Sequence, residues 1–276
     1  MGQRRMTRRW VLAGAGIAAL GISGVGAGMV ADVLPGGAQL RRLLRLDGGD
    51  PGVPDVPPGD VRVERLASRA RGRDVDIAVV APYGVAAEGL PACVALHGRG
   101  SSARDMLALG LPRFLTATVR SGTAPFALVA VDGNDAYWHC RDAGDDPQAM
   151  LREELPGWLA ARGLAPADAG RPAAALGISM GGFGALLHAR ARADHPLRCV
   201  AVVSPALFGT WQDVVDKNVF RDRADWESQE PLRHLKTMAG QALGVWCGTE
   251  DPFVGAARHL ARGARASVGA FAGVNK

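Results

Sequence analysis

Little net charge remains in this chain once its first ten residues are set aside. The formal charge is +5, yet Arg4, Arg5, Arg8 and Arg9 have no acid among them, and without these four the remainder stands at +1. A body so close to neutral lacks the basic surface on which nucleic-acid binding depends, so that class of partner is set aside. Cysteine is sparse too, with four in 276 residues. Cys93, Cys199 and Cys247 fall inside apolar, strand-like runs where a thiol acts as a small buried hydrophobe, and Cys140 lies in a polar loop. That placement argues against a disulfide framework and for mostly free thiols. Charge is wholly missing from Trp10 to Ala31, a run of 22 residues. No cysteine lies beside it to carry a lipid.

Ahead of that uncharged run stands Thr7-Arg8-Arg9-Trp10-Val11-Leu12, a twin-arginine pattern. It marks residues 1–31 as a segment read by the twin-arginine export machinery, with cleavage after Ala27 or Ala31, or as an uncleaved anchor, since 22 uncharged residues can span a bilayer. Its Gly and Ala content suits a removable segment better than a permanent span. The expected location is outside the cytoplasm: secreted, periplasmic or wall-associated, with membrane contact only through an uncleaved leader. Residues 32–60, with Pro51, Pro54, Pro57 and Pro58, read as a linker, and 61–276 as one folded domain.

The body opens with an alternating strand, Val61 to Leu66, and a hairpin partner, Val75 to Val80. Ala92 to Leu96 and Phe126 to Val131 are uniformly apolar, as strands covered on both faces are, and so are Cys199 to Val203 and Leu243 to Cys247. Asp146-Pro147 caps a helix whose apolar face is Leu151, Leu155, Trp158 and Leu159, with a kink expected at Pro156. Residues 205–230 carry Phe208, Trp211, Phe220 and Trp226 without clean periodicity. They read either as a cap facing a substrate or as a loosely packed surface excursion. A helix is expected from Pro252 to about Arg262, and a last strand from Ala266 to Phe271.

Gly177-Ile178-Ser179-Met180-Gly181, followed by Gly182, fits G-x-S-x-G between a short apolar strand and a helix. In that setting the serine stands on a turn too tight for flanking side chains. A serine hydroxyl is a weak nucleophile and needs a base, an acid to orient the base, and donors for an oxyanion. Ser179 is the candidate nucleophile. The backbone N–H of Met180 is one oxyanion donor, and the loop His97-Gly98-Arg99-Gly100 supplies the second at Arg99. Asp251, after a late strand, is the candidate orienting acid, with Glu250 in reserve and a plain helix cap as the competing reading. No metal or cofactor enters this chemistry.

The base is the missing part. His259 and His188 lie eight and nine residues past Asp251 and Ser179, which on one helix is about 12 Å or more. His97 reads as a structural hydrogen-bonder in the oxyanion loop. His195 falls at the wrong edge of the sheet, and His139 and His234 reach the crevice only through loops the sequence does not place. The expectation is that the chain, or its gene, stops before the general base.

With these residues in place, the chain resembles the α/β-hydrolase esterase family that includes S-formylglutathione hydrolases and the secreted mycolyltransferases of mycobacteria. Glu154-Leu155-Pro156-Gly157-Trp158-Leu159, Gly177-Ile178-Ser179-Met180 and Val245-Trp246-Cys247-Gly248 carry the likeness, over about residues 61–271. The resemblance implies an α/β-hydrolase fold: a mostly parallel doubly wound sheet with antiparallel N-terminal strands, here without the closing histidine loop and helix. It implies Ser-His-acid chemistry on acyl esters, carried by Ser179 and Asp251 with Arg99 and Met180 as oxyanion amides; together with the leader, the expectation is an exported serine esterase or acyltransferase acting on small-molecule or lipid acyl esters through a Ser179 acyl-enzyme. The alternatives are a non-catalytic protein of the same fold that binds acyl or glycolipid ligands, or an inactive fragment. The segment from Pro205 to Glu230 identifies no mycolate channel.

Overall fold

The computed structural model describes residues 52–268 apart from 193 and 239–241, so the leader and the linker as far as residue 51 lie outside the described residues. The strands are β1 (Asp60–Ser68), β2 (Arg73–Ala81), β3 (Ala92–Leu96), β4 (Ala127–Val131), β5 (Ala174–Ile178), β6 (Cys199–Val203) and β7 (Ala242–Trp246). They form one sheet in the order β1-β2-β4-β3-β5-β6-β7. β1 pairs antiparallel with β2, and β2 with β4; from β4 to β7 every pairing is parallel. This is the α/β-hydrolase arrangement. β1 is mostly exposed, as its alternation requires, whereas every residue of β3 and β4 is buried.

The chain runs from β3 to β4 on one side and from β4 back across to β5 on the other. A strand order that reverses in this way opens a crevice beyond the carboxyl ends of the strands at the reversal. Here those are β3 and β5, whose registered ends are Leu96 and Gly177. β7 lies two strands beyond β5, about 10 Å away.

Around the sheet stand α1 (Ala103–Ala108), α2 (Leu111–Arg120), α4 (Met180–Ala191), α5 (Arg223–Gln229) and α6 (Val254–Val268). Between α2 and α4 a continuous helical run, α3, joins Pro147–Ala149, a π turn at Met150–Glu154, and Leu155–Ala160. Asp146 caps it through Ala149 N. Pro156 has no N–H to give, and the wider π turn just before it absorbs the misfit; the Leu155 N–H reaches back to Met150 O. Leu151, Leu155 and Leu159 are buried as the apolar face requires. Val53 to Gly59 lie against the domain: Gly59 N donates to Pro112 O and Arg113 Nη1 to Val56 O.

Two expectations are corrected, and of the two readings left open for residues 205–230 one is removed. The strand expected at Ala266 to Phe271 does not form over its described part, because α6 continues through Val268. Cys199 is exposed rather than buried, since it is the first residue of β6 and lies at the sheet's rim. Residues 205–230 are not a loose excursion. Leu207, Phe208, Val214, Val219, Phe220 and Trp226 are all buried within the main core. The cysteines are free, and Cys93 and Cys199 both register against Ala174 from opposite sides. Two strand spacings, about 10 Å, exceed disulfide reach.

Glu230 locks the excursion closed. It is fully buried, and its carboxylate accepts from Phe208 N at 3.1 Å and Leu232 N at 3.2 Å. Burial pushes its pKa up to about 8. The folded value thus lies above the unfolded one, so the protonated form is favoured on folding; that contribution is full below about pH 4.5 and is lost as pH rises through about 8. Glu230→Gln keeps an acceptor oxygen and cannot ionise. Its thermal midpoint is expected to gain on that of the native protein progressively from about pH 4.5 up to about pH 8. Parallel profiles for the two proteins would contradict this.

Candidate active site

The turn after β5 is built by exclusion of side chains. A Cβ on Gly177 would stand 2.0 Å from Gly181 O, and one on Gly181 would stand 1.9 Å from Leu96 O. One on Gly182 would meet the Pro205 side chain at 2.9 Å. Only glycine lets β5, α4 and the ends of the neighbouring strands approach so closely. Ser179 sits at the apex with φ 54° and ψ −117°. A non-glycine residue held there stores of order 1–3 kcal/mol of strain. Its backbone is fixed from both sides: Ser179 N donates to Val203 O at 2.9 Å, and Ala206 N donates to Ser179 O at 3.0 Å.

The sequence-predicted oxyanion loop is brought to this serine. A Cβ on Gly98 would lie 3.5 Å from Ser179 Cβ, so the strand-to-helix loop after β3 faces the apex of the turn. Met180, the first residue of α4, presents its N–H at a helix N-terminus, where the helical ladder supplies no partner. Arg99 is exposed at the tip of the facing loop.

What holds that loop was not legible in the sequence. Gly100 N donates to Asp135 Oδ1 at 2.6 Å, and Trp138 Nε1 donates to His97 O at 3.2 Å. Asp132 Oδ1 accepts from Ala103 N at 2.7 Å, anchoring the start of α1. Trp138 fills the space beside Gly133 and Gly184, where added Cβ atoms would meet its ring at 2.3 Å. Asp132 to Trp138 therefore braces the loop from the far side of the crevice. Asp135→Ala is expected to lower turnover of an activated ester by about tenfold while shifting the thermal midpoint little, because Asp135 is on the surface. Equal losses of rate and stability would show that it is merely structural.

His97 is a structural residue, as expected. Its Nδ1 lies 2.8 Å from Gly98 O and its Nε2 accepts from Gly133 N at 2.8 Å. The two bonds select the neutral tautomer with hydrogen on Nδ1, and burial lowers the pKa. His139 Nε2 lies 3.1 Å from Val219 O, and its ring stacks on Phe220. His234 Nε2 is 2.9 Å from Glu227 O. Among the described residues no histidine ring is hydrogen-bonded to Ser179 or to Asp251.

Asp251 follows β7 at the same edge of the sheet as Ser179. The ends of β5, β6 and β7 are in register, with Ile178 beside Val203 and Val203 beside Trp246. A carboxylate two strands away, about 10 Å, leaves room for one imidazole hydrogen-bonded at both ends. Asp251 Oδ1 also accepts from Phe253 N at 2.8 Å, a local turn that leads into α6. Both readings of this residue thus find support in its position. Nearby, Cys247 is pushed up to about 11, by burial first and then by the Asp251 charge. A cavity of about 540 Å³ lies between Leu207-Phe208 and Pro252-Phe253, with His259 in its wall. It adjoins the two segments that carry Ala206 and Asp251.

Against known proteins, a family model described as "Putative esterase" matches residues 68–267. No curated protein matches the chain in sequence. Among solved structures, the chain is similar to an S-formylglutathione hydrolase from Agrobacterium tumefaciens, with a TM-score of 0.63 and 15% identity over 79% of this chain and 86% of that one. It is similar to FphF of Staphylococcus aureus, a fluorophosphonate-binding serine hydrolase, at 0.63 and 15% over 79% and 91% of the two chains. Mycobacterium tuberculosis MPT51 (FbpC1) superposes at 0.57 with 21% identity over 78% and 88%. At such identities these structures speak for the fold.

Proposed function

The chain belongs to the esterase family whose model it matches, and from that premise we propose that it cleaves or transfers the acyl group of small-molecule or lipid esters through an acyl-enzyme at Ser179. The observation that carries the reading is the strained apex at Ser179, built by three glycines directly beneath the facing loop of β3.

In this reading Ser179 Oγ attacks the ester carbonyl and gives up its proton to a general base. Negative charge gathers on the carbonyl oxygen, where the N–H groups of Met180 and Arg99 donate to it. Collapse expels the alcohol, which takes the proton back from the base. Water or a second alcohol then attacks the acyl-Ser179 carbonyl by the same steps in reverse. Asp251 orients the base from the end of β7, and the family resemblance makes that base a histidine. The twin-arginine pattern at Arg8-Arg9 supports export of the enzyme by the twin-arginine machinery. No helix among the described residues is long and apolar enough to cross a membrane.

Pre-steady-state hydrolysis of p-nitrophenyl acetate tests the acyl-enzyme. A burst of p-nitrophenol approaching one equivalent per chain is expected, followed by slower turnover. Binding of ester analogues without any release of p-nitrophenol would instead favour a hydrolase-fold protein that binds acyl ligands without cleaving them.

A further inference from the structure

At the opposite edge of the sheet from Ser179 lies a small pocket that the ester chemistry does not use. His188 is nine residues along α4 from Ser179, about 13 Å by helical rise. Its side chain is wholly buried, and both ring nitrogens lack a hydrogen-bond partner. Buried polar atoms are nearly always hydrogen-bonded, and this ring holds two that are not. His188 borders a cavity of about 160 Å³ whose wall also holds Arg152, Arg171, Arg192 and His195.

The charges around the cavity point to what would fill it. Three arginines line it, and Asp194 is the one acid in its wall. Among the described residues Asp194 forms no ion pair with any of them; Arg152 pairs only with its neighbour Glu153, at 3.8 Å. Arg192 Nη1 donates to Pro172 O at 2.5 Å, which fixes that side chain beside the cavity. The carboxyl end of α4 repels an anion weakly, by the equivalent of about half a charge, against three formal cations. A cavity of this volume excludes a large ligand but accommodates a phosphate-sized group.

We propose that this pocket binds a small oxyanion, a phosphoryl or carboxylate group held by Arg152, Arg171 and Arg192, with His188 donating from beneath. Guanidinium groups supply paired donors matched to such oxygens, and a neutral imidazole has one N–H to add. The site is separate from Ser179 and does not rest on the esterase reading.

The test is thermal unfolding of the protein across inorganic phosphate concentrations, with ionic strength held constant by sodium chloride, beside parallel series in acetate and sulfate. A saturable rise in midpoint with phosphate, absent in chloride alone, is expected. Acetate acting as well as phosphate would assign the site to carboxylates, and phosphate or sulfate acting alone would assign it to tetrahedral anions. The Arg152→Gln/Arg171→Gln double variant, which alters two guanidinium groups that form no hydrogen bond to the fold among the described residues, is expected to weaken the apparent affinity by about tenfold or more. The His188 ring resonances are expected to shift with phosphate in the native protein and not in the variant. No saturable response of the native protein to any of the three anions, or an equal response in the double variant, would overturn the proposal.

Discussion

Ser179→Ala is expected to reduce ester turnover to the background rate, a fall on the order of 10³-fold or more. The reason is chemical: in the acyl-enzyme scheme the hydroxyl is the attacking atom, and the rest of the turn only positions it. A second substitution separates chemistry from architecture. Ser179 occupies φ 54° and ψ −117°, which glycine adopts at little cost. Ser179→Gly is therefore expected to be equally inactive yet more stable than the native chain, by about 1 kcal/mol. A gain of stability on losing the nucleophile is what a strained functional turn implies. If Ser179→Gly proved inactive and less stable, the strain argument would fail while the chemical one stood.

Gly181→Ala is expected to be the most damaging small substitution in the domain. The added methyl would stand 1.9 Å from Leu96 O, 2.4 Å from Leu96 C and 2.8 Å from His97 O, all of them backbone atoms at the end of β3. No side-chain rotation relieves such a contact, so β3 or the start of α4 must move. The expected cost is about 3 kcal/mol, or roughly 6–12 °C in thermal midpoint for a domain of this size. Because the displaced segment leads into the Arg99 loop, turnover should fall further than stability accounts for. Gly255 is a useful control, because a Cβ there meets nothing within 4 Å. Gly255→Ala lies inside α6 and should leave the midpoint unchanged or slightly raised.

These sites differ in how far the sequence revealed them. The buried strands were plain in Ala92 to Leu96 and Phe126 to Val131, because an uninterrupted apolar run of five or six residues can be accommodated only between two helical layers. The turn at Ser179 was plain because glycine spacing records a steric demand directly. The strand expected at Ala266 to Phe271 was read from weak alternation among alanine and glycine. Ala264 and Ala266 favour a helix just as well, and α6 carries on through them to Val268. The apolar neighbours of Cys199 suggest an interior place, but β6 begins at Cys199 itself, and that end of the strand is exposed where the first residues of β3 and β4 are covered.

The brace at Asp135 and Trp138 was invisible for a different reason. It joins two loops 35 residues or more apart, Gly100 to Asp135 and His97 to Trp138, and no local pattern encodes such a pairing. Locally the sequence shows only a run of polar and aromatic residues from Asp132 to His139. Three of them, Asn134, Tyr137 and Trp138, prove to have positive φ. Glu230 was hidden likewise, since an acid near the end of a polar stretch gives no sign that the fold will bury it.

The central claim is that Ser179 is an activated nucleophile, and active-site labelling tests it most directly. The folded protein is incubated with a fluorophosphonate probe, and the intact mass and modified peptide are then measured. The expected result is a single adduct on Ser179, lost in Ser179→Ala and slowed in Asp251→Asn. A folded sample that remains unlabelled, or an adduct on any other residue, would contradict the account.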